Sequence, residues 1–142
     1  MRIADVLKAK GAVVATIAPD MAVRDLLASL VSRNIGAMVV IDSAGVVGIV
    51  SERDVVRRLH EHGADLLDRP VSDIMTSRVI TCTPTETVDS LSGLMTTNRV
   101  RHVPVVEDGR LIGIVSIGDV VKTRMEELQA QQEQLEAYIT QG

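Results

Sequence analysis

An internal repeat constrains the fold of this chain more than any other feature. Residues 16–56 align with residues 81–121 at a constant offset of 65 without a gap, and twelve of the 41 aligned positions are identical. The densest match begins with Gly48-Ile49-Val50-Ser51 against Gly113-Ile114-Val115-Ser116. Self-similarity at a fixed offset indicates one supersecondary unit that is used twice. The chain is therefore expected to contain two copies of one unit.

Each copy predicts the same order of elements. After a proline, apolar residues recur at helical spacing, with Asp20 and Thr85 as candidate N-caps. Two runs of β-branched residues then flank a short polar turn, which is typical of a hairpin. Ser51 and Ser116 are natural caps for a further helix. The order strand, helix, strand, strand, helix predicts an α+β fold.

The pattern divides the chain into four segments. They are a first repeat with an introductory helix (residues 1–62), a polar linker (63–70), a second repeat (71–124) and a C-terminal amphipathic helix (125–142). The second repeat begins with Val71-Ser72-Asp73-Ile74-Met75, which is similar to Ile3-Ala4-Asp5-Val6-Leu7. A short introductory helix is therefore predicted for both repeats.

The end of the chain carries an apolar stripe. Its residues alternate at spacings of four and three: Val121, Met125, Leu128, Gln132, Leu135 and Ile139. Such a stripe needs a partner. The two alternatives are the same helix of a second chain, which would make a homodimer, and the body of the protein, against which the helix would form an intramolecular latch.

Composition excludes several classes of protein. Hydrophobic residues make up 46% of the chain, so intrinsic disorder is not expected, although Tyr138 is the only aromatic residue. The net charge of -4 and the lack of aromatic residues disfavour binding to nucleic acid. The apolar runs are too short to span a membrane. A single cysteine and no secretory signal predict a cytoplasmic protein without an internal disulfide.

The sequence also lacks the groups of an enzyme or a metal protein. It offers no paired general acid and base, and no nucleophile with an orienting base. His60, His62, His102 and Cys82 do not have the paired spacing of zinc ligands. Neither catalysis nor a metal site is therefore expected.

The duplicated segment Gly-x-x-Ser-x-x-Asp, preceded by a hairpin and followed by a helix, resembles that of the cystathionine-β-synthase (CBS) domain family. Arg101-His102-Val103-Pro104 stands at the family's characteristic second-strand position, and the resemblance covers almost the whole chain. It implies a stand-alone pair of repeats packed by their sheets about a pseudo-twofold axis, and a face-to-face homodimer. It also implies a non-enzymatic regulatory module that needs no cofactor and acts on an unidentified protein target.

The resemblance implies an adenosine-containing ligand, such as AMP, ADP, ATP, NAD(H) or S-adenosylmethionine, in clefts between the repeats. Asp54 and Asp119 would bind the ribose hydroxyls, and Ser51 and Ser116 would lie beside the phosphate at helix N-termini. The adenine would contact the strand starts, which are Thr16, Ile17, Ala37, Met38 and Val39 for one cleft and Thr81, Cys82, Val103 and Pro104 for the other.

Charge should make the two clefts inequivalent. Arg53 corresponds to Gly118, whereas Arg101 and His102 correspond to Gly36 and Ala37. A phosphate chain between the repeats could use all three basic residues, so a ligand with two phosphates is expected rather than bare adenosine.

Two alternatives remain open from the sequence. The aspartates of the motif could serve only to stabilise the first turn of a helix. The protein could also be structural, with empty clefts and dimerisation through the C-terminal helix.

Overall fold

The computed structural model of the protein describes residues 1–11 and 13–141, so Ala12 and Gly142 of the first and last predicted segments lie outside the described residues. The α-helices are α1 (Ile3–Lys10), α2 (Val23–Arg33), α3 (Glu52–His62), α4 (Val88–Asn98) and α5 (Ile117–Gln141). The strands are β1 (Thr16–Ile17), β2 (Ala37–Asp42), β3 (Gly45–Ser51), β4 (His102–Glu107) and β5 (Arg110–Ser116). Two 3₁₀ helices span Gly63–Asp68 and Val71–Asp73.

The two halves contain matching hairpins. In the first half β1 pairs in parallel with β2, and β2 pairs antiparallel with β3. In the second half β4 pairs antiparallel with β5. Both hairpins contain a register shift at the same place, after Val40 and after Val105. Because β3 and β5 are in contact, the halves meet through their sheets, which confirms the predicted α+β pair of repeats.

The strand predicted at the start of the second copy is reduced to a single bridge. Cys82 donates its N–H to the carbonyl of Pro104 at 3.0 Å and accepts from the N–H of Val106 at 2.9 Å. These two bonds bracket Val105, and the pairing extends no further. The second sheet therefore has two strands, where the first has three.

The helix caps lie two residues later than predicted. Helix α2 begins after Ala22, and α4 begins after Thr87, whose Oγ1 accepts from the N–H of Ser90 at 3.1 Å. Asp20 and Thr85 precede these caps because the chain there is held by a neighbouring segment. The carbonyls of the preceding prolines accept N–H groups of residues 72 and 4.

Each introductory segment packs on the opposite half. The buried side chains of α1, which are Ile3, Val6 and Leu7, belong to the core of the second half. Leu66, Val71 and Ile74 belong to the core of the first half. The segment predicted as a polar linker thus contributes Leu66, which is fully buried. The predicted division placed α1 with the first repeat, whereas its apolar face contacts the second; the remaining boundaries stay a prediction.

Two glycines allow the introductory segments, each of which crosses to the opposite half, to approach the hairpins. A Cβ atom at Gly48 would lie 2.5 Å from Sδ of Met75, and one at Gly113 would lie 2.5 Å from a methyl carbon of Leu7. A larger residue at either position would require the segment to move.

Helix α5 runs through the predicted boundary at residue 125 without interruption. Val120 and Thr123 are buried, but the helix is exposed from residue 129 to its end at residue 141. The apolar stripe is exposed as well, from 51% at Val121 to 67% at Ile139. The intramolecular latch is therefore not formed, because the stripe points away from the body of the protein.

Among the residues described, no helix combines the length and the apolar character that crossing a membrane requires.

Candidate functional site

A cavity of about 510 Å³ lies between the two halves, and we call it the first cleft. Three parts of the chain form its wall: the start of β2 with the end of β3 and the start of α3, the segment 76–80, and residues 99–102. The first half therefore supplies the repeated motif, and the second half supplies the residues before and at the start of β4.

The motif positions Asp54 in the first turn of α3. Ser51 is the N-cap, and its backbone N–H and its hydroxyl donate to Oδ2 of Asp54 at 2.8 and 3.1 Å. With the N–H of Asp54 directed back at the Ser51 side chain, this arrangement is a capping box, which satisfies amide groups that a helix end leaves free. Among the described residues no other donor bonds to the Asp54 side chain, so the second carboxylate oxygen is open to a ligand.

Five arginines face this cleft: Arg53, Arg57, Arg78, Arg99 and Arg101. In the part of the chain that the structure describes, none of them has a carboxylate within 4.0 Å. Only Glu52 and Asp54 provide negative charge on the wall. Because unpaired guanidinium groups attract anions, the first cleft is suited to a ligand of several negative charges.

His102 lies against the first half. Its Cε1 and Nε2 would lie 3.8 Å from a Cβ atom at Gly36, which is ordinary van der Waals contact, so the ring packs beside this residue. Burial lowers the pKa of His102 and Lys10 lowers it further, against the opposing effect of Asp119 and Glu52. This lowered pKa favours the uncharged ring near neutral pH. His102 can form hydrogen bonds to a ligand, and its contact with phosphate stays a prediction.

The first cleft brings together six of the predicted site residues: Ala37, Ser51, Arg53, Asp54, Arg101 and His102. The other residues predicted to contact adenine on this side, Thr16, Ile17, Met38 and Val39, do not line it. Met38 and Val39 are buried among core side chains because the strand start turns inward. Ile17 is also buried and Thr16 is exposed, and the adenine contacts of these four positions stay a prediction.

The residues predicted to contact adenine on the other side are mostly core as well. Cys82, Val103 and Pro104 are buried, and Thr81 is exposed. The thiol of Cys82 lies 3.7 Å from the carbonyl oxygen of Pro104, and burial together with Glu86 raises its pKa to about 12. Cys82 is therefore protonated and fills space in the core. The described residues contain no group of three or more His, Cys, Asp or Glu side chains that could hold a metal ion.

Sequence reasoning missed most of the cleft wall. The residues not predicted are Gly36, Ile49, Glu52, Arg57, Thr76, Arg78, Ile80, Arg99 and Val100. One signal could have found Arg78. The introductory segments match at Leu7 and Met75, and three residues further this alignment places Lys10 opposite Arg78.

The second motif has the same local geometry but a different neighbour. Ser116 donates its N–H and hydroxyl to Oδ2 of Asp119 at 2.8 and 3.0 Å. Nζ of Lys10 donates to the same oxygen at 2.6 Å and to the carbonyl of Ile114 at 2.9 Å. Burial would raise the pKa of Asp119, but the hydrogen bonds from Lys10 and Ser116 outweigh it and lower that pKa. Asp119 is thus an ionised carboxylate already paired with a cation.

Comparison with known proteins identifies this architecture. The CBS domain family matches residues 5–61 and 71–126. The mitochondrial CBS domain-containing protein CBSX3 of Arabidopsis thaliana is 38% identical over 149 residues, covering 99% of this chain and 72% of the relative. The CBS domain-containing protein YhcV of Bacillus subtilis is 29% identical over 112 residues, covering 79% of both. Because the plant relative is described as mitochondrial, the cytoplasmic location stays a prediction.

Solved structures share the fold. A CBS-domain protein from Agrobacterium tumefaciens is 45% identical with a TM-score of 0.84, covering 87% of this chain and 99% of the other. The CBS domain pair of protein MJ0100, solved with 5′-methylthioadenosine and S-adenosyl-L-methionine, is 25% identical with a TM-score of 0.80, covering 89% and 98%. CBS domain pairs are regulatory ligand-binding modules. The resemblance seen in the sequence is confirmed: this chain belongs to the CBS domain family and carries two tandem repeats.

Proposed function

We propose that this protein is a regulatory sensor that binds an adenine nucleotide with two or more phosphates, such as ADP, ATP or NAD(H), in the first cleft. The observation that carries the proposal is the group of five unpaired arginines around Asp54. AMP would bind more weakly, because its single phosphate can engage fewer of them.

The phosphate chain would lie along the arginines. A guanidinium presents a planar fork of donors that matches phosphate oxygens, and hydrogen bonds between ionised groups are about twice as strong as neutral ones. Arg53 and Arg57 come from the first half, and Arg99 and Arg101 from the second. A ligand that bridges them would hold the two halves together.

The nucleoside would occupy the opposite part of the wall. Asp54 has an open carboxylate oxygen for the ribose hydroxyls. Ala37, Ile49, Ile80 and Val100 offer apolar contact for the adenine ring. The presence of adenosine compounds in the related MJ0100 domain pair supports an adenosine ligand here.

Ligand binding would regulate a partner protein rather than support a reaction. A ligand shifts a conformational equilibrium only if it binds two states unequally. A nucleotide that bridges the halves favours the state in which they are close, and a partner that recognises that state would bind more tightly. The proposal therefore involves no catalytic residue.

Isothermal titration of the ligand-free protein with ATP, ADP, AMP and adenosine tests the proposal. Removal of carried-over nucleotide is easy to follow at its absorbance maximum, because Tyr138 is the only aromatic residue. Affinity is expected to rise from adenosine to ATP. Arg101→Glu is expected to weaken ATP binding about 100-fold, since a hydrogen bond to a charged group contributes about 1.5–3 kcal/mol and the substitution adds repulsion.

Arg110→Glu is the matched control. It makes the same charge change at the start of β5, away from the cleft wall, and should leave ATP affinity within about twofold of the wild type. Equal ATP affinity of Arg101→Glu and the wild type would contradict the proposal.

A second candidate function is dimerisation through α5, which the exposed stripe favours. Leu128 and Leu135 are 64% and 60% exposed on one side of this helix. Pairing with α5 of a second chain would bury them. Sedimentation equilibrium is expected to show a dimer that Leu128→Glu with Leu135→Glu dissociates, whereas Gln134→Glu, which lies on another side of the helix, does not. A monomeric wild-type protein would contradict this candidate.

A further inference from the structure

We infer that Lys10 occupies the ribose-binding position of the second motif, so that each chain binds one nucleotide and binds it in the first cleft. The inference rests on the proposed function and deepens it, because it states which of two repeated motifs receives the ligand. The ligand remains an adenosine nucleotide, and the residue that blocks the second motif comes from α1, outside the aligned residues 16–56 and 81–121.

The contacts of Lys10 place its ammonium group within the second motif. Nζ lies 2.6 Å from Oδ2 of Asp119 and 2.9 Å from the carbonyl oxygen of Ile114. The two side chains are 32% and 22% exposed, so the pair is partly shielded from water. Oδ2 of Asp119 also accepts two bonds from Ser116. Three donor groups therefore already bond to this one oxygen. No donor bonds to Oδ1 among the described residues, so the feature that restricts this site is the ammonium of Lys10.

A ribose would have to compete with this ion pair. A hydroxyl and an ammonium both form charge-assisted hydrogen bonds to a carboxylate, but only the ammonium also neutralises its charge. Displacing Lys10 would also leave a cation in a partly shielded place without its partner. Asp54 carries no such cation, because no donor other than Ser51 bonds to it among the described residues.

The path of the chain explains why a basic side chain pairs with the aspartate of only one motif. Helix α1 continues for three residues beyond Leu7 and brings Lys10 back over β5. The matching segment forms only the 3₁₀ turn Val71–Asp73, after which Thr76 exchanges backbone hydrogen bonds with Ile49. Arg78, the counterpart of Lys10, therefore ends up on the wall of the first cleft.

The charge around the second motif agrees with this assignment. The positions equivalent to Arg53, Arg99 and Arg101 are Gly118, Asn34 and Gly36. The second motif thus lacks three of the five basic residues of the first cleft, while Lys122 and Lys10 stand opposite Arg57 and Arg78. A ligand without phosphate is accordingly the sharper probe of this site once Lys10 is removed.

Stoichiometry tests the inference. Isothermal titration with ATP and with 5′-methylthioadenosine should give one site per wild-type chain. Lys10→Met removes the ammonium and should add a second site for 5′-methylthioadenosine, raising the stoichiometry from one to two. Lys8→Met removes the same charge from the same helix at an exposed position and should keep one site. Lys10→Met with Asp119→Ala should return to one site, which a merely structural role of Lys10 would not produce.

The outcomes separate the two claims. Two sites in the wild-type chain, or fewer than two in Lys10→Met and in a second opening variant, Lys10→Ala, would overturn the inference while leaving the proposed function intact. Failure of every variant to bind either ligand would overturn the proposed function together with the inference.

Discussion

The two halves of this protein share a motif but give it different surroundings. Around Asp54 and around Asp119 the hydrogen bonds to the preceding serine agree within 0.1 Å. Asp54 faces a cleft lined with unpaired arginines, whereas Asp119 is paired with Lys10. The repeated sequence therefore determines the local geometry of the motif. Segments outside the aligned repeat determine whether that geometry is open to a ligand.

Removal of each aspartate in turn tests whether the two motifs contribute unequally to ATP binding. Asp54→Ala should lower ATP affinity about 100-fold, because it deletes hydrogen bonds from two ribose hydroxyls that together contribute about 2.7 kcal/mol. Asp119→Ala should change ATP affinity by less than about threefold. Both variants lose one capping box, so the second controls for the loss of stability in the first. Isothermal titration measures the affinities, and equal losses in the two variants would show that the motifs are functionally equivalent.

The second comparison concerns the glycines against which the crossing segments pack. Gly48→Ala should destabilise the protein by about 2 kcal/mol and Gly113→Ala by about 1 kcal/mol, since overpacking costs about 1–3 kcal/mol. The added methyl group meets the backbone oxygen of Thr76 at 3.2 Å in the first case, but only atoms of the flexible Leu7 side chain in the second. Urea unfolding measures both values. A larger loss of unfolding free energy for Gly113→Ala would mean that α1 moves less readily than the segment around Thr76 to accommodate the added methyl group.

The third comparison uses acid unfolding of Lys10→Met and Arg78→Met. The pKa of Asp119 is lower in the folded protein than its ordinary value, so this group stabilises the fold above about pH 4. That stability is lost as the pH falls through the folded pKa. Without Lys10 the folded pKa rises and the contribution shrinks, so the acid unfolding midpoint of Lys10→Met should move to higher pH.

Arg78→Met is the matched control for this experiment. Arg78 has no carboxylate within 4.0 Å among the described residues, so its removal should leave the acid midpoint unchanged. Circular dichroism between pH 2 and pH 7 follows both transitions. An unshifted midpoint in Lys10→Met would show that the ion pair does not stabilise the fold.

Much of the fold could be predicted because the repeat and the hydrophobic period are local signals. The order of elements, the hairpins and the caps at Ser51 and Ser116 all follow from residues close in sequence. The crossing of the introductory segments could not be predicted in this way. Leu66 lies in a polar stretch, and only the tertiary structure shows that it enters the core of the first half. The apolar pattern of α1 likewise does not predict which of the two similar cores this helix packs against.

The site was predictable only where the motif itself supplies it. Ser51, Asp54 and Arg53 belong to one continuous segment, and Arg101 and His102 stand at a position that the repeat makes conspicuous. Arg99 reaches the cleft because segments from both halves converge there, which no spacing in the sequence reveals. Arg78 is marked in the sequence only by its alignment with Lys10. The adenine contacts at Met38 and Val39 stay a prediction. A β-branched or apolar run does not show which of its residues face a cleft, and both of these side chains are buried.

The helix ends that precede the hairpin of each half also differ between the two halves. Asn34 and Arg99 both follow a helix and adopt left-handed backbone angles, with φ of 52° and 55°. Glycine adopts this conformation without strain, whereas a long side chain such as arginine is disfavoured and asparagine is tolerated. Arg99→Gly should therefore stabilise the protein by about 0.5 kcal/mol, and Asn34→Gly by less.

Arg99→Gly, the more stable of the two glycine variants, should bind ATP more weakly than Asn34→Gly. Arg99 faces the first cleft and Asn34 does not line it, so only Arg99→Gly removes a guanidinium from the phosphate site. We expect a higher unfolding temperature together with a several-fold weaker ATP affinity for this variant, measured by thermal unfolding and titration. Higher stability and unchanged ATP affinity would mean that Arg99 serves only the helix end. Lower stability together with weaker ATP binding would mean that the Arg99 side chain stabilises the fold through packing. Backbone strain could not explain such a loss, because glycine adopts left-handed angles without strain.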